Sequence, residues 1–239
     1  MKLLNRTFAT PELNLACDEA LLEACEAGEG EEVLRFWEPD RPFVVVGHGN
    51  RVSAEVQVET CRALGVPILR RCSGGGTVLQ GPGCLDYALI LRFERASDLQ
   101  TLTGTNAFVM ERHRAALASI LPDPVAVQGI TDLTLGGRKF SGNAQRRKRR
   151  CLLFHGTFLL QFDPALLEQV LPMPSRQPGY RAGRSHRDFL CALATPAGHL
   201  KRVLTDAWGT PDALETPPTA RMEQLARNRY SNPAWTFRF

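Results

Sequence analysis

Between residues 11 and 27 the apolar positions Leu15, Ala16, Ala20, Leu21, Ala24 and Cys25 recur at helical spacing, with Asp18, Glu19, Glu23 and Glu26 between them. That pattern predicts an amphipathic helix. Thr10 offers a cap, Pro11 fits the first turn, and Gly28-Glu29-Gly30 breaks the helix. Strands are predicted at 33–37 and 42–46, the second an apolar run expected to be buried on both faces. A helix over 54–64 stops at Gly65, and a strand over 66–71 leads into Cys72-Ser73-Gly74-Gly75-Gly76. Strands at 77–80 and 85–93 flank the turn Gly81-Pro82-Gly83. Farther along, a helix is expected over 105–120 and strands over 132–135, 137–140 and 152–162, with Gly136-Gly137 as a hairpin turn. Helices at 164–171, 188–208 (broken near Pro196) and 219–227 complete the pattern, with a polar loop at 177–187 and a connector at 211–218. There is no internal repeat or long linker, and strands interspersed with helices and hairpins argue for a single mixed α+β domain.

The 239 residues are 44% hydrophobic and 23% charged, an ordinary globular composition. No apolar run approaches the ~18 residues of a membrane span, and the apolar start at Leu3-Leu4 is too short for a secretory signal. The net charge of +4 is too mild to imply a nucleic-acid partner. Seven cysteines stand at 17, 25, 61, 72, 84, 151 and 191, with no CxxC pair and no zinc spacing. They point to buried, reduced thiols and a cytoplasmic location. Of the 29 basic residues only Lys2, Lys139, Lys148 and Lys201 are lysines. A lysine kept in such a chain raises the question of whether a compact point charge is required there.

Several stretches carry candidate chemistry, each beside a plainer reading. Arg70-Arg71-Cys72-Ser73-Gly74-Gly75-Gly76-Thr77 follows a strand; its glycine amides can cradle an anion, or it is a flexible turn with solvated arginines. It matches neither a P-loop nor a dinucleotide fingerprint. Lys139, in Gly137-Arg138-Lys139-Phe140-Ser141-Gly142-Asn143-Ala144, is either a charge stabiliser for a phosphate or an exposed strand lysine. Asp132 can hold a substrate amine or a metal, or cap a turn, and His155-Gly156 lies in an apolar strand where a structural histidine is the commoner case. The basic run Arg146–Arg150 reads as an exposed hairpin tip able to steer an acidic partner. The loop from Tyr180 to His186 has a composition suited to closing over a phosphate-bearing ligand.

Taken together these stretches resemble the lipoate–protein ligase A and octanoyltransferase family, which shares its catalytic fold with biotin–protein ligases. Asn14-Leu15-Ala16-Cys17-Asp18-Glu19-Ala20-Leu21 looks like its opening helix, and Gly47-His48-Gly49-Asn50 sits where a Gly-x-x-Gln/Asn pattern is expected. Residues 70–78, ending in Thr77-Val78, are similar to RRxSGGGxV. Residues 137–144 resemble GRKxSGSA, His155-Gly156-Thr157 the HGT element, and Arg229-Tyr230 with Trp235 the closing KYxxxxW. The resemblance implies one catalytic domain over 1–239, a mixed and mostly antiparallel sheet with flanking helices; many ligases that it resembles carry a further C-terminal accessory domain, and the expectation here departs from them in having none.

The implied activity attaches a lipoyl or octanoyl chain to one lysine of a lipoyl domain or glycine-cleavage H protein. In the ligase form, lipoate and ATP with Mg2+ give lipoyl-AMP, which the acceptor amine attacks. By transfer, Lys139 is the catalytic residue. Arg70, Arg71, Ser73, Gly74, Gly75, Gly76, Thr77, Val78, Asp132, Ser141, Gly142, Asn143, Ala144, His155 and Gly156 line the substrate and adenylate site. Octanoyltransferases of the family pass the chain through a cysteine thioester. Here Cys72 is the one cysteine expected near the site, and the empty stretches 85–150 and 152–190 favour the adenylate route. The competing expectations are transfer from octanoyl-acyl carrier protein, dependence on a separate accessory subunit, and a non-catalytic subunit that binds lipoyl domains.

Overall fold

The computed structural model describes residues 1–210 and 212–239. In chain order the elements are β1 (Lys2–Asn5), α1 (Pro11–Ala27), β2 (Val33–Trp37), β3 (Phe43–Val46), α2 (Val52–Glu55), α3 (Val58–Ala63), β4 (Ile68–Arg70), β5 (Val78–Gln80) and β6 (Cys84–Arg92). They continue with α4 (Leu102–Ala118), β7 (Val125–Gln128), β8 (Asp132–Leu135), β9 (Arg138–Arg147), β10 (Cys151–Leu159), α5 (Pro164–Val170), α6 (His186–Phe189), α7 (Ala197–Trp208), α8 (Thr219–Leu225) and α9 (Pro233–Thr236). Seven strands form one sheet in the order β1-β2-β6-β10-β9-β8-β7, and β4-β3-β5 form a second, smaller one. Among the described strands, β1–β2 and β3–β4 pair in parallel and the other pairs are antiparallel. The fold is α+β, with a mixed sheet and flanking helices.

Strands β2 and β6 are buried along nearly their whole length because both faces of the main sheet are covered. On one face, Leu34, Phe36, Tyr87, Phe154 and Phe158 pack against Met110 of α4 and Trp208 of α7. On the other, Ala88, Ile90 and Leu153 meet Cys17, Leu21 and Cys25 of α1 and Met222 of α8. The small sheet lies on this second side. Its Phe43, Val45 and Leu69 meet Leu15 and Ala16 of α1, and its other face packs under α2, α3 and α5.

Helix α1 has the expected bounds because its ends are chemically marked. Thr10 accepts the Leu13 N–H, Pro11 opens the first turn, and Gly28 closes it at φ +80°. The helix expected over 54–64 divides instead into α2 and α3, broken where the Val56 and Gln57 backbone leaves helical geometry. Strand β9 extends to Arg147, well past the expected 140, because β10 pairs with it from Ser141 to Arg147, whereas β8 flanks only Arg138–Ser141. The segment expected as helix from 188 yields only α6 and α7; residues 190–196 run non-helical, with Leu190 bridging to Lys139. Pro211, first residue of the expected connector, lies outside the described residues.

Candidate active site

Two arginines that follow one another on the chain frame the glycine loop differently. Arg70 is fully buried. Its guanidinium donates to the carbonyls of Gly47 (2.8 Å), His48 (3.1 Å), Asn50 (2.8 Å) and Thr236 (2.7 Å). The expectation that Arg70 borders a ligand is thereby corrected: its donors are committed to protein carbonyls, and it staples the Gly47–Asn50 turn to the C-terminal segment. Arg71 curls under the loop, where Nη2 donates to the carbonyls of Gly74 (2.6 Å) and Gly76 (2.7 Å) and Nε to Ser73 Oγ (3.1 Å). The loop carbonyls thus turn inward. Among the described residues no protein acceptor takes the Gly74, Gly75 or Gly76 N–H, which leaves three amides of an exposed loop available to an anion. Gly75 requires its lack of side chain, with φ at +86°. A Cβ on Gly47 would collide with the Gly75 carbonyl. Asn50 Nδ2 donates to that carbonyl (3.1 Å) and to Thr77 Oγ1 (3.4 Å).

Facing the loop is strand β9. A Cβ on Gly75 would lie 3.4 Å from the Ala144 methyl, and one on Gly142 would lie 2.6 Å from Lys139 Nζ. Gly142 and Ala144 are two residues apart on one strand face, about 6.6 Å, so the Lys139 ammonium and the glycine loop are neighbours over the same surface. Lys139 Nζ sits 2.8 Å from Asp132 Oδ1, and both side chains are half-buried. Ser141 and Asn143 turn to the opposite face. Ser141 is buried without a partner for its hydroxyl. Asn143 Oδ1 accepts the Tyr87 hydroxyl (2.5 Å) while Nδ2 donates to the Thr131 carbonyl (2.5 Å), which fixes the chain beside Asp132. Gly156 is needed because a Cβ there would strike Asn143 Oδ1. Val78 pairs with Val45 in the small sheet and packs on its core.

His155 stands opposite Ala144 on β10, on the loop side. Its Nε2 shares a 2.5 Å hydrogen bond with Ser73 Oγ, and its Nδ1 lies 3.2 Å from Asp18 Oδ2. Asp18 in turn pairs with the buried Arg35 at 2.5 Å. Burial alone would raise the Asp18 carboxyl, but Arg35 and then His155 outweigh it and hold the pKa below the ordinary value. A chain of partners therefore runs from the main sheet through α1 to the glycine loop. Its end, Ser73, has no exposed surface, so it anchors the loop and is closed to substrate.

Cys72 fails as a nucleophile. It is buried, and burial pushes its thiol up to about 12. Cys191 runs alongside Lys139 in space, donating its N–H to the Lys139 carbonyl at 2.9 Å, yet its side chain packs against the core of the main sheet and its sulfur contacts the Arg138 carbonyl. The basic run is less free than a hairpin tip would be. Arg147 donates to the carbonyls of Leu99 (2.7 Å) and Gln100 (3.0 Å), and the Glu26 carboxylate accepts the backbone N–H groups of Arg149, Arg150 and Cys151. The loop at 177–187 contains a turn at Gly179–Arg181 that brings the Tyr180 hydroxyl to Asp132.

Sequence patterns did not single out Asp18, Arg35 or the contact of Tyr180 with Asp132. One signal for the first pair was present: an arginine in the otherwise apolar strand Val33–Trp37 needs a buried acid, and α1 supplies one.

A family model for the lipoyl protein ligase A/B catalytic domain matches residues 10–203. A protein of Aeropyrum pernix named putative lipoate-protein ligase A is 32% identical over 170 residues, 71% of this chain; the match spans only 61% of that protein's length. The octanoyltransferase LipM of Geobacillus kaustophilus is 24% identical over 272 residues, covering 99% of this chain and 98% of that one. Among solved structures, the bipartite lipoate protein ligase from Thermoplasma acidophilum superposes with a TM-score of 0.83 at 21% identity, covering 99% and 95% of the two chains. A lipoate-protein ligase A bound with ATP gives 0.81 at 21% identity, covering 99% and 98%. At that identity the structures speak for the fold, while the family model spans most of the chain: the protein belongs to the lipoyl protein ligase A/B catalytic-domain family.

Proposed function

We propose that this chain attaches a lipoyl or similar acyl group to a lysine of a lipoyl domain through an acyl-adenylate. The observation that carries the reading is the Lys139 ammonium, held by Asp132 over Gly142, beside the free amides of Gly74–Gly76. In acyl-adenylate formation the acyl carboxylate attacks the α-phosphate and pyrophosphate leaves, so two anionic groups must meet. A compact ammonium between them can donate to oxygens of both and stabilise charge as it develops. The loop amides, the third element of the site, suit phosphate oxygens. The acceptor amine then displaces AMP from the acyl carbonyl; the chain's contribution to that step is to hold the adenylate in place against it.

The main alternative transfers an acyl chain from a carrier protein through a thioester, as the name of the Geobacillus relative suggests for that protein. Against it stands the placement of the thiols: Cys72, beside the glycine loop, is buried, and Cys191, half-buried beside Lys139, packs its side chain against the core of the main sheet. Mg2+ would arrive on the ATP phosphates. Among the described residues no group of three His, Cys, Asp or Glu is placed to hold a metal alone, and Asp132 is the carboxylate beside the proposed phosphate position. That set fits an ion held chiefly by nucleotide and water. We place the protein in the reducing cytoplasm, in keeping with its seven free thiols.

The test is incubation with lipoate, Mg-ATP and an apo lipoyl domain, read by intact mass, with octanoyl-acyl carrier protein lacking ATP in parallel. The expected result is an ATP-dependent lipoyl mass gain. It should fall by roughly 10²–10³ in Lys139→Ala and persist in Cys72→Ala. Gain from the carrier alone overturns the adenylate route. Gain only after addition of a second protein assigns the activation step to an accessory subunit.

A further inference from the structure

Asp132 has two carboxylate oxygens and a different partner on each. Oδ1 pairs with Lys139 Nζ at 2.8 Å, and Oδ2 accepts the Tyr180 hydroxyl at 2.7 Å. Tyr180 is placed with care. Its ring packs against Phe189 at a tilt of 42°, with centroids 5.2 Å apart. It also packs on Gly129, which sits at φ +58° and where a Cβ would lie 3.3 Å from the ring. Arg184 fixes the segment by donating to the carbonyls of Tyr180 (2.8 Å) and Gly137 (3.1 Å), the latter in the turn that leads to Lys139. Ala182, two residues on, holds the left-handed conformation at φ +51°, a setting L side chains avoid. The loop adopts a disfavoured backbone, and the contacts that hold it there also aim one hydroxyl at one carboxylate.

We propose that Tyr180 is a positioning residue for Lys139: its hydroxyl takes up part of the Asp132 charge, so the carboxylate steers the ammonium over Gly142 without binding it too tightly to be shared with an incoming anion. The nature of that anion, an acyl carboxylate or nucleotide phosphate, rests on the function proposed above. The sharing of charge at Asp132 does not. A carboxylate that accepts a second hydrogen bond offers less charge to its first partner. With the hydroxyl removed, the whole charge turns on Lys139 and competes harder with any ligand oxygen. The charged groups facing Tyr180 are Asp132 from β8, Lys139 beside it on β9, and Arg181 and Arg184 from its own loop.

Competitive acetylation of the intact protein with acetic anhydride, across pH and without substrate, tests this. Lys2, Lys148 and Lys201 serve as internal references in the peptide mass spectrum. In Tyr180→Phe, which keeps the ring, the pH midpoint for labelling Lys139 should rise by about half a unit. In Asp132→Asn it should fall. In the double variant the Tyr180→Phe shift should vanish, since the carboxylate that transmits it is gone. An unchanged midpoint in Tyr180→Phe overturns the proposal. So does a shift that survives in the Asp132→Asn background, which would make Tyr180 a packing residue only. Because the readout needs no substrate, it stands even if no acyl transfer is found. Where transfer is found, Tyr180→Phe should lower kcat/KM about fivefold, chiefly through KM for ATP, as expected for one charge-linked hydrogen bond; unmoved kinetics overturn the proposal as well.

Discussion

Asp86 lies on β6 between Trp37 and Thr157, its register partners on the neighbouring strands. Thr157 donates to Oδ1 at 2.5 Å, while Oδ2 is buried without a partner. Burial raises this carboxyl to about 8, so it is protonated at neutral pH. An unfolded chain releases that proton near the ordinary value of about 3.9. The folded state therefore holds the extra proton between about pH 4 and 8, and stability falls as pH rises through that window and levels off above it. Asp86→Asn keeps the shape and removes the titration. Urea unfolding at pH 5.5 and 8.5 should show the natural chain losing about 2 kcal/mol or more relative to the variant, since each pH unit crossed inside that window costs about 1.4 kcal/mol. Equal losses in both chains would place the Asp86 carboxyl in contact with water.

Among the elements, those whose ends carry their own chemistry could be read directly. Helix α1 was legible to the residue because Thr10, Pro11 and Gly28 each act locally. Gly28 takes the left-handed conformation, and its N–H closes on Ala24 and Cys25. Gly28→Ala should therefore cost about 1 kcal/mol in chemical denaturation, with the site unchanged because the residue lies far from it. Strand β9 was legible only at its start. Residues Ser141 to Gln145 show no apolar alternation, and they become a strand because β10 pairs with each of them. The short edge strands β1 and β7 carried too little pattern to be recognised. The same division holds for the site. Lys139 and the glycine run stood out because a rare lysine and three consecutive glycines are unusual in themselves. Asp18, Arg35 and Tyr180 acquire meaning only when α1, β2 and the loop after α5 are brought to the sheet, and spacing along the chain does not encode that meeting.

At the scale of the whole molecule, the glycine loop is held from three distant parts of the chain. His155 of β10 grips Ser73, Asn50 grips the Gly75 carbonyl, and Arg70 ties the turn at Gly47–Asn50 to the C-terminal segment, whose Trp235 indole donates back to the Arg70 carbonyl at 2.8 Å. Nearby, Arg238 donates to the His48 carbonyl and stacks on Trp235. Arg70→Ala would leave buried carbonyls on both sides without donors and should cost roughly 3–5 kcal/mol in urea unfolding. Arg70→Lys should recover little, since an ammonium cannot span the fork between Asn50 and Thr236. Full rescue by lysine would show that charge alone suffices there.

The reach of Arg70 also sets a schedule. Its acceptor at Thr236 lies 166 residues farther along the chain. At about 5–20 residues per second, synthesis of that stretch takes roughly 10–30 s. Throughout that interval the nascent chain offers Arg70 its acceptors at Gly47, His48 and Asn50 but none from the C-terminal segment. The glycine loop gains the last part of its backing only when residues 235 and 236 emerge from the exit tunnel, well after the loop itself.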